Sequence, residues 1–282
     1  MSDAWTPSAR QLQREAVARR LGRRRALTAV AVTVVVLGLV VVGAVASPGW
    51  GRVAATFFDF AQMRAVLPAA WKGFRTNVAL FMIAEPLILI LGIAVAVVRH
   101  TISAWLTPLR IVAIAYTDLF RGIPTILVVM LCAFGIPAMR LHGVTNSLFW
   151  LTLVALVLSY GAYVAEVVRS GIESIHPTQL ASAQALALSR AQSMQHVILP
   201  QALRRVVPPL VNDFASLQKD TALVSSVGVV EALRTASDYA NYHFNYSSYL
   251  VAAAFFIVVT VPMARLTDWL SARARRREQG KL

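Results

Sequence analysis

Among the ionisable side chains inside the long apolar runs of this chain, four could do chemistry with a ligand: Glu85, Arg121, Glu166 and Asp213. Charge at membrane depth is costly, so such residues are candidates for binding or relaying a ligand. Glu85 lies about nine residues into the run 76–98 and Asp213 about ten into 203–225, or roughly 14–15 Å deep at helical rise. Two carboxylates near the midplane suit an ammonium group. Pro86 follows Glu85 and removes a backbone donor, which predicts a kink and an exposed carbonyl beside the acid. Arg121 opens "RGIP" (121–124), a Gly-Pro break in a third run. Its planar fork matches a carboxylate, and an interrupted helix offers N-terminal amides to an anion. Each charge also has a structural alternative. Glu85 can pair with a basic residue of a partner subunit, Asp213 with Arg121, and Lys219 with Asp220. Glu166 and Arg169 stand one turn apart, the spacing of a surface ion pair.

The elements that must hold these residues follow from composition. The 282 residues are 57% hydrophobic and 14% charged, which places the chain among polytopic membrane proteins of all-α class. Hydropathy predicts six spans, near 26–46, 76–98, 111–137, 148–168, 203–225 and 249–270. The first is about 21 residues, longer than the apolar core of a signal peptide, so it is expected to be retained. The net charge of +14 is concentrated in two tails, 1–25 and 271–282, each abutting a span. That is the pattern of cytoplasmic ends, and no aromatic–basic surface for nucleic acid accompanies it. With both termini inside, the inner segments hold eighteen Lys and Arg against six outside. The outer segment 47–75 is amphipathic and expected along the membrane interface. The outer stretch 226–248 is expected to pack as an external cap. Nucleophile constellations, Cys/His metal spacing and the phosphate-binding GxxxxGK[ST] loop are all missing from the sequence. The chain therefore reads as neither an enzyme nor a holder of metal, nucleotide or other cofactor.

Between the fourth and fifth spans lies "SIHPTQLASAQALALSRAQSMQHVILP" (174–200), without Lys, Arg, Asp or Glu from Ile175 to Ser189. Alanine at 181, 183, 185 and 187 favours a helix, expected over about 179–193 with Thr178 as its cap. Leu180, Ala183, Leu186 and Ala187 make a narrow apolar ridge. An uncharged helix in water is built either to enter a groove on another protein or to pack on its own spans.

The run Ile175–Ser189, followed by Ile198, Leu199 and Pro200, resembles the coupling loop of ATP-binding-cassette importer permeases of the polar amino acid type, which carry histidine, glutamine, arginine or glutamate. "RGIP" (121–124), "GAYVAEVVRSGI" (161–172), "PQALRRVVPPLVNDF" (200–214) and "KDTALVSSVGVVE" (219–231) are similar in order and spacing. The resemblance implies a permease core over 74–270 with its coupling loop at 169–202, preceded by an extra span and outer segment (26–73). It implies a translocation path for a polar amino acid. Its partners would be an ATPase dimer carrying ATP and Mg, a second copy or a homologous permease, and an extracytoplasmic substrate-binding protein, all at a bacterial inner membrane. Thr178, Gln179, Leu180, Ala181, Ala183, Ala185, Leu186, Ala187 and Leu188 would meet the ATPase. Two positions depart from the family pattern: its acidic residue is Ala181 and its helix-breaking glycine is Ala187. Glu at 181 would complete a capping box with Thr178. The competing class is a proton-coupled secondary carrier using Glu85 and Asp213 as relays, although six spans without an inverted repeat is small for one.

Overall fold

The structure, a computed structural model, describes residues 8–101 and 104–279. It divides into two compact units, Met1–Phe58 and Asp59–Leu282. In the first, α1 (Ala9–Val45) is followed by α2 (Trp50–Phe57). Ser8 caps α1, its hydroxyl accepting from the Gln11 amide at 3.3 Å. From Ala9 onward the basic tail and the first expected span form one unbroken helix. From Leu27 to Val45 its large apolar side chains are exposed. A helix apolar all round is built for lipid or for other apolar helices.

The second unit holds α3 (Phe60–His100), α4 (Thr107–Gly122), α5 (Thr125–Met130), a π-helical turn (Leu131–Gly135) and α6 (Ile136–Ala138). After these come α7 (Leu148–Glu173), α8 (Pro177–Ala185), α9 (Arg190–Ser193), α10 (Leu199–Asp220), α11 (Ala232–His243) and α12 (Ser247–Gln279). No strand occurs among the described residues. Asp59 starts α3, its carboxylate accepting from the amides of Ala61 at 2.9 Å and Gln62 at 3.2 Å. The second half of the 47–75 segment is therefore the beginning of α3, and Pro68 does not interrupt it. Val66, Ala70 and Phe74 are buried there against residues of α11 and α12.

The main core joins Leu80, Ala84 and Ile88 of α3 to Leu153, Leu156, Tyr160 and Val164 of α7, with Leu217 of α10. α3 and α7 can pack closely because Gly92 carries no side chain. A Cβ there would come within 2.5 Å of Val164 Cγ1. Small residues at helix contacts allow this approach where lipid gives no hydrophobic drive.

Four helices, α1, α3, α7 and α12, contain segments long and apolar enough to cross a membrane. Ala104–Gly122 and Thr125–Ala138, bent by 106° at Ile123-Pro124, count as a fifth if taken as one broken span. The break falls in "RGIP", where Pro124 supplies no N–H to continue the helix. The sixth expected span, 203–225, corresponds to α10 and the 3₁₀ turn after it, and α10 carries Arg204, Arg205, Asp213, Lys219 and Asp220, too many charges to count as apolar. A helix so charged needs protein or a water-filled path beside it rather than lipid. α10 accordingly buries Ala202, Val206, Ala215, Leu217 and Gln218 inside the unit.

Candidate functional site

The four intramembrane charges separate into two places. Glu166 of α7 is a hub for three arginines. Arg169 grips it with two donors, Nε to Oε2 at 3.0 Å and Nη2 to Oε1 at 2.5 Å. Arg99 of α3 donates to the same Oε2 at 3.1 Å and to Thr117 of α4 at 2.9 Å. Arg121, the last basic residue of α4, lies 3.6 Å from Glu166. Arg169 also pairs with Glu173. The i,i+3 pair of Glu166 and Arg169 is as the spacing indicates. The two further arginines, and Thr117, come from elsewhere in the chain and were not visible in local sequence. Arg121 thus pairs with Glu166 and not with Asp213.

Glu85 and Asp213 lie together elsewhere. They interact electrostatically, and neither oxygen of Glu85 nor Oδ2 of Asp213 accepts a hydrogen bond, although these atoms are buried. Tyr160 of α7 donates to Asp220 at 2.8 Å and is within electrostatic range of Asp213. Asp220 is therefore bonded to Tyr160, where a pair with Lys219 was one expectation. Glu85 of α3 and Asp213 of α10 thus face each other's charge, and a buried carboxylate oxygen without a donor calls for a cation or a proton. Arg99 is fourteen residues beyond Glu85 on α3, about 21 Å of helix, so the arginine hub belongs to a different level.

A third polar network was not anticipated. Asn77 of α3 donates to Thr221 at 3.1 Å and to Glu231 at 3.0 Å, and its oxygen accepts from the Ala232 amide at 3.1 Å. Glu231 caps α11, taking the amides of Leu233 at 2.9 Å and Arg234 at 2.7 Å. Burial raises its carboxyl above the ordinary value, and these donors oppose that shift. The stretch 226–248 is thereby fixed to α3. Gly73 allows the contact, since a Cβ there would stand 2.6 Å from the Glu231 carbonyl carbon. An acid directly before an alanine-rich helix is a capping signal that the sequence did contain.

The neutral stretch folds as two short helices instead of one over 179–193. Pro177 takes the first helical position and His176 is the cap, its Nδ1 accepting from the Thr178 amide at 3.3 Å and facing the Thr178 hydroxyl at 2.8 Å. Thr178 is therefore inside the helix. Ala181 lies five places past the cap, so Glu at 181 would form no capping box. Gln179 accepts from Gln201 of α10 at 3.3 Å. Ile175 packs with Ile198 and Ala202 beneath the loop. Ala183 is only 3% exposed, whereas Leu180, Ala181, Ala185 and Leu186 face outward, Leu186 at 77%. The buried Ala183 face is packed on the chain itself, and the opposite face is free among the described residues.

α8 ends where Ala187 turns left-handed, at φ 59°. The Ala187 amide donates to Gln184 O at 2.9 Å and the Leu188 amide to Ala183 O at 3.1 Å. This pair of bonds is the Schellman motif, whose left-handed position is normally glycine. Alanine there costs about 1 kcal/mol. Ala187→Gly is expected to raise the unfolding temperature of the purified chain by one or two degrees, and Ala187→Val to lower it. A fall on introducing glycine would contradict the strain.

Residues 88–276 match the family described as binding-protein-dependent transport system inner membrane component. The arginine transport system permease protein ArtQ of Bacillus subtilis is 32% identical over 203 residues, covering 72% of this chain and 90% of its own. The glutamine transport system permease protein GlnP of Escherichia coli is 28% identical over 219 residues, 77% and 98% of the two chains. Among solved structures, an amino acid ABC transporter crystallised with histidines superposes with a TM-score of 0.69 at 29% identity, again covering 77% and 98%. The chain belongs to this family of inner membrane components. It is a permease subunit of the ATP-binding-cassette type and a multi-pass inner-membrane protein. None of these likenesses supports the proton-coupled carrier reading.

Proposed function

We propose that the chain forms one half of an import path for a polar amino acid, neutral or cationic, with Glu85 and Asp213 receiving the ammonium or guanidinium group. The carrying observation is that three oxygens of these two carboxylates are buried and have no hydrogen-bond donor among the described residues. A cation between them would satisfy both at once. Arginine and glutamine in the names of the two relatives agree with a cationic or neutral ligand. Arg121 and Glu166 then hold helices at another level and do not touch the same ligand.

Both termini lie in the cytoplasm in this reading, following the eighteen-to-six asymmetry of basic residues. A separate ATPase dimer hydrolyses ATP and takes the outward face of α8, including Leu180, Ala181, Ala185 and Leu186. A second copy or a homologous permease completes the path, and a binding protein delivers substrate from outside. Reconstituted with its ATPase, the Glu85→Gln and Asp213→Asn variants should lose at least roughly tenfold in uptake of labelled arginine or glutamine, the energy of about one lost charged hydrogen bond. ATPase association should be unchanged. Wild-type uptake of both amino acids by both variants would return the carboxylates to a structural role.

A further inference from the structure

α1 is outside the family match, which begins at residue 88. The family match therefore says nothing about what it does. Arg20, Arg23, Arg24 and Arg25 are all exposed on it, directly before the apolar segment that starts at Ala26. From residue 16 to residue 58 the sequence contains no Asp or Glu, so this segment supplies no carboxylate of its own to neutralise them. The four span five helical rises, about 8 Å along the axis, which matches the thickness of one headgroup layer, roughly 5–8 Å. At 3.6 residues per turn they cover about 200° of the circumference. They collar the helix instead of lining one side.

We infer that this collar binds the headgroups of anionic phospholipids, so that α1 holds a shell of acidic lipid around the first span. The argument is one of position and charge. Because α1 is unbroken from Ala9 to Val45, an apolar segment seated in the bilayer fixes the collar at the headgroup level. Guanidinium groups pair with phosphate through two parallel bonds, which suits a lipid phosphate better than mobile counterions. Arg10 and Arg14 lie ten and six residues before Arg20, about 15 and 9 Å further out. There, screening at a Debye length of about 8 Å weakens any attraction to the surface.

The test uses the full chain, exchanged into nanodiscs of equal phosphatidylglycerol and phosphatidylcholine and then re-extracted in mild detergent. Lipid retained per chain is measured by mass spectrometry. Wild type should retain phosphatidylglycerol in excess, with each collar arginine contributing up to about fivefold at low salt. The quadruple variant R20Q/R23Q/R24Q/R25Q should fall to near parity, and the double variant R24Q/R25Q should lie between. R10Q/R14Q should keep the excess, and the corresponding quadruple lysine variant should keep part of it, since an ammonium attracts phosphate but makes no paired bonds. The double and lysine variants retain enough charge to insert normally, so a folding defect in the quadruple glutamine variant does not decide the outcome. Parity in wild type, or an excess unaffected by R24Q/R25Q, overturns the proposal. So does a collar variant that keeps its acidic lipid but loses a bound protein subunit, because the partner is then a protein. Neither outcome bears on substrate recognition by Glu85 and Asp213, which is measured by uptake.

Discussion

Replacing Glu166 with alanine is expected to destabilise the chain by about 2–3 kcal/mol, less than the cost of stranding the partners of a fully buried ion pair because the cluster is partly exposed. Three guanidinium groups share this one carboxylate, and the Arg99 side chain is only 12% exposed. Without Glu166 they repel one another across α3, α4 and α7. The loss should appear as a fall in unfolding temperature on the order of 10 °C in detergent. Glu166→Gln should be nearly as harmful, because an amide can accept from an arginine but carries no charge to balance three. Arg121 is the most exposed of the three, so Arg121→Gln added to Glu166→Gln should recover part of the loss. A Glu166→Ala chain that unfolds at the wild-type temperature would mean that the hub is incidental to stability.

The second large effect concerns α8, and the structure redirects where the substitution belongs. Leu186→Glu places a carboxylate on the outward face without touching the chain's own packing, since Leu186 is almost entirely exposed. If that face enters a groove on an ATPase, the buried charge costs several kcal/mol and weakens association roughly hundredfold or more. Expected are normal membrane abundance, an unchanged unfolding temperature, loss of the co-purifying ATPase and no uptake. Ala183→Glu would be a poor test of the same idea. Ala183 is buried against its own chain, and a charge there would unseat the loop before any partner was reached. Normal ATPase binding and transport by Leu186→Glu would remove α8 from the coupling interface.

How far the sequence could be read depended on the separation between partners. Helix identity, the break at "RGIP" and the Glu166–Arg169 pair are local, and each followed from spacing. Arg99 with Glu166 is 67 residues apart in sequence, and Asn77 with Glu231 is 154 apart. No periodicity links such residues, so only the packing of α3 revealed them. The cap of α8 was legible but misassigned. Pro177 marks a first helical position and therefore points one residue back, to His176, and not forward to Thr178. Hydropathy averages over all faces of a helix and so hides which face of α10 is polar. Its five charges and the buried Gln218 mark a helix turned toward protein and polar space.

α3 has a mechanical consequence. Its 41 residues make a rod about 60 Å long, twice the hydrocarbon thickness of a bilayer. One region is bolted to α11 through Asn77 and Glu231, and the other end to α4 and α7 through Arg99. Between the bolts lies Pro86, which leaves the Met82 carbonyl without its helical donor and so softens the rod beside Glu85. A pivot of about 5° at that point would swing the Phe60 end, 26 residues away, by about 3 Å. α3 is thus one long rod, held at two levels, whose missing backbone bond falls in the turn that carries Glu85.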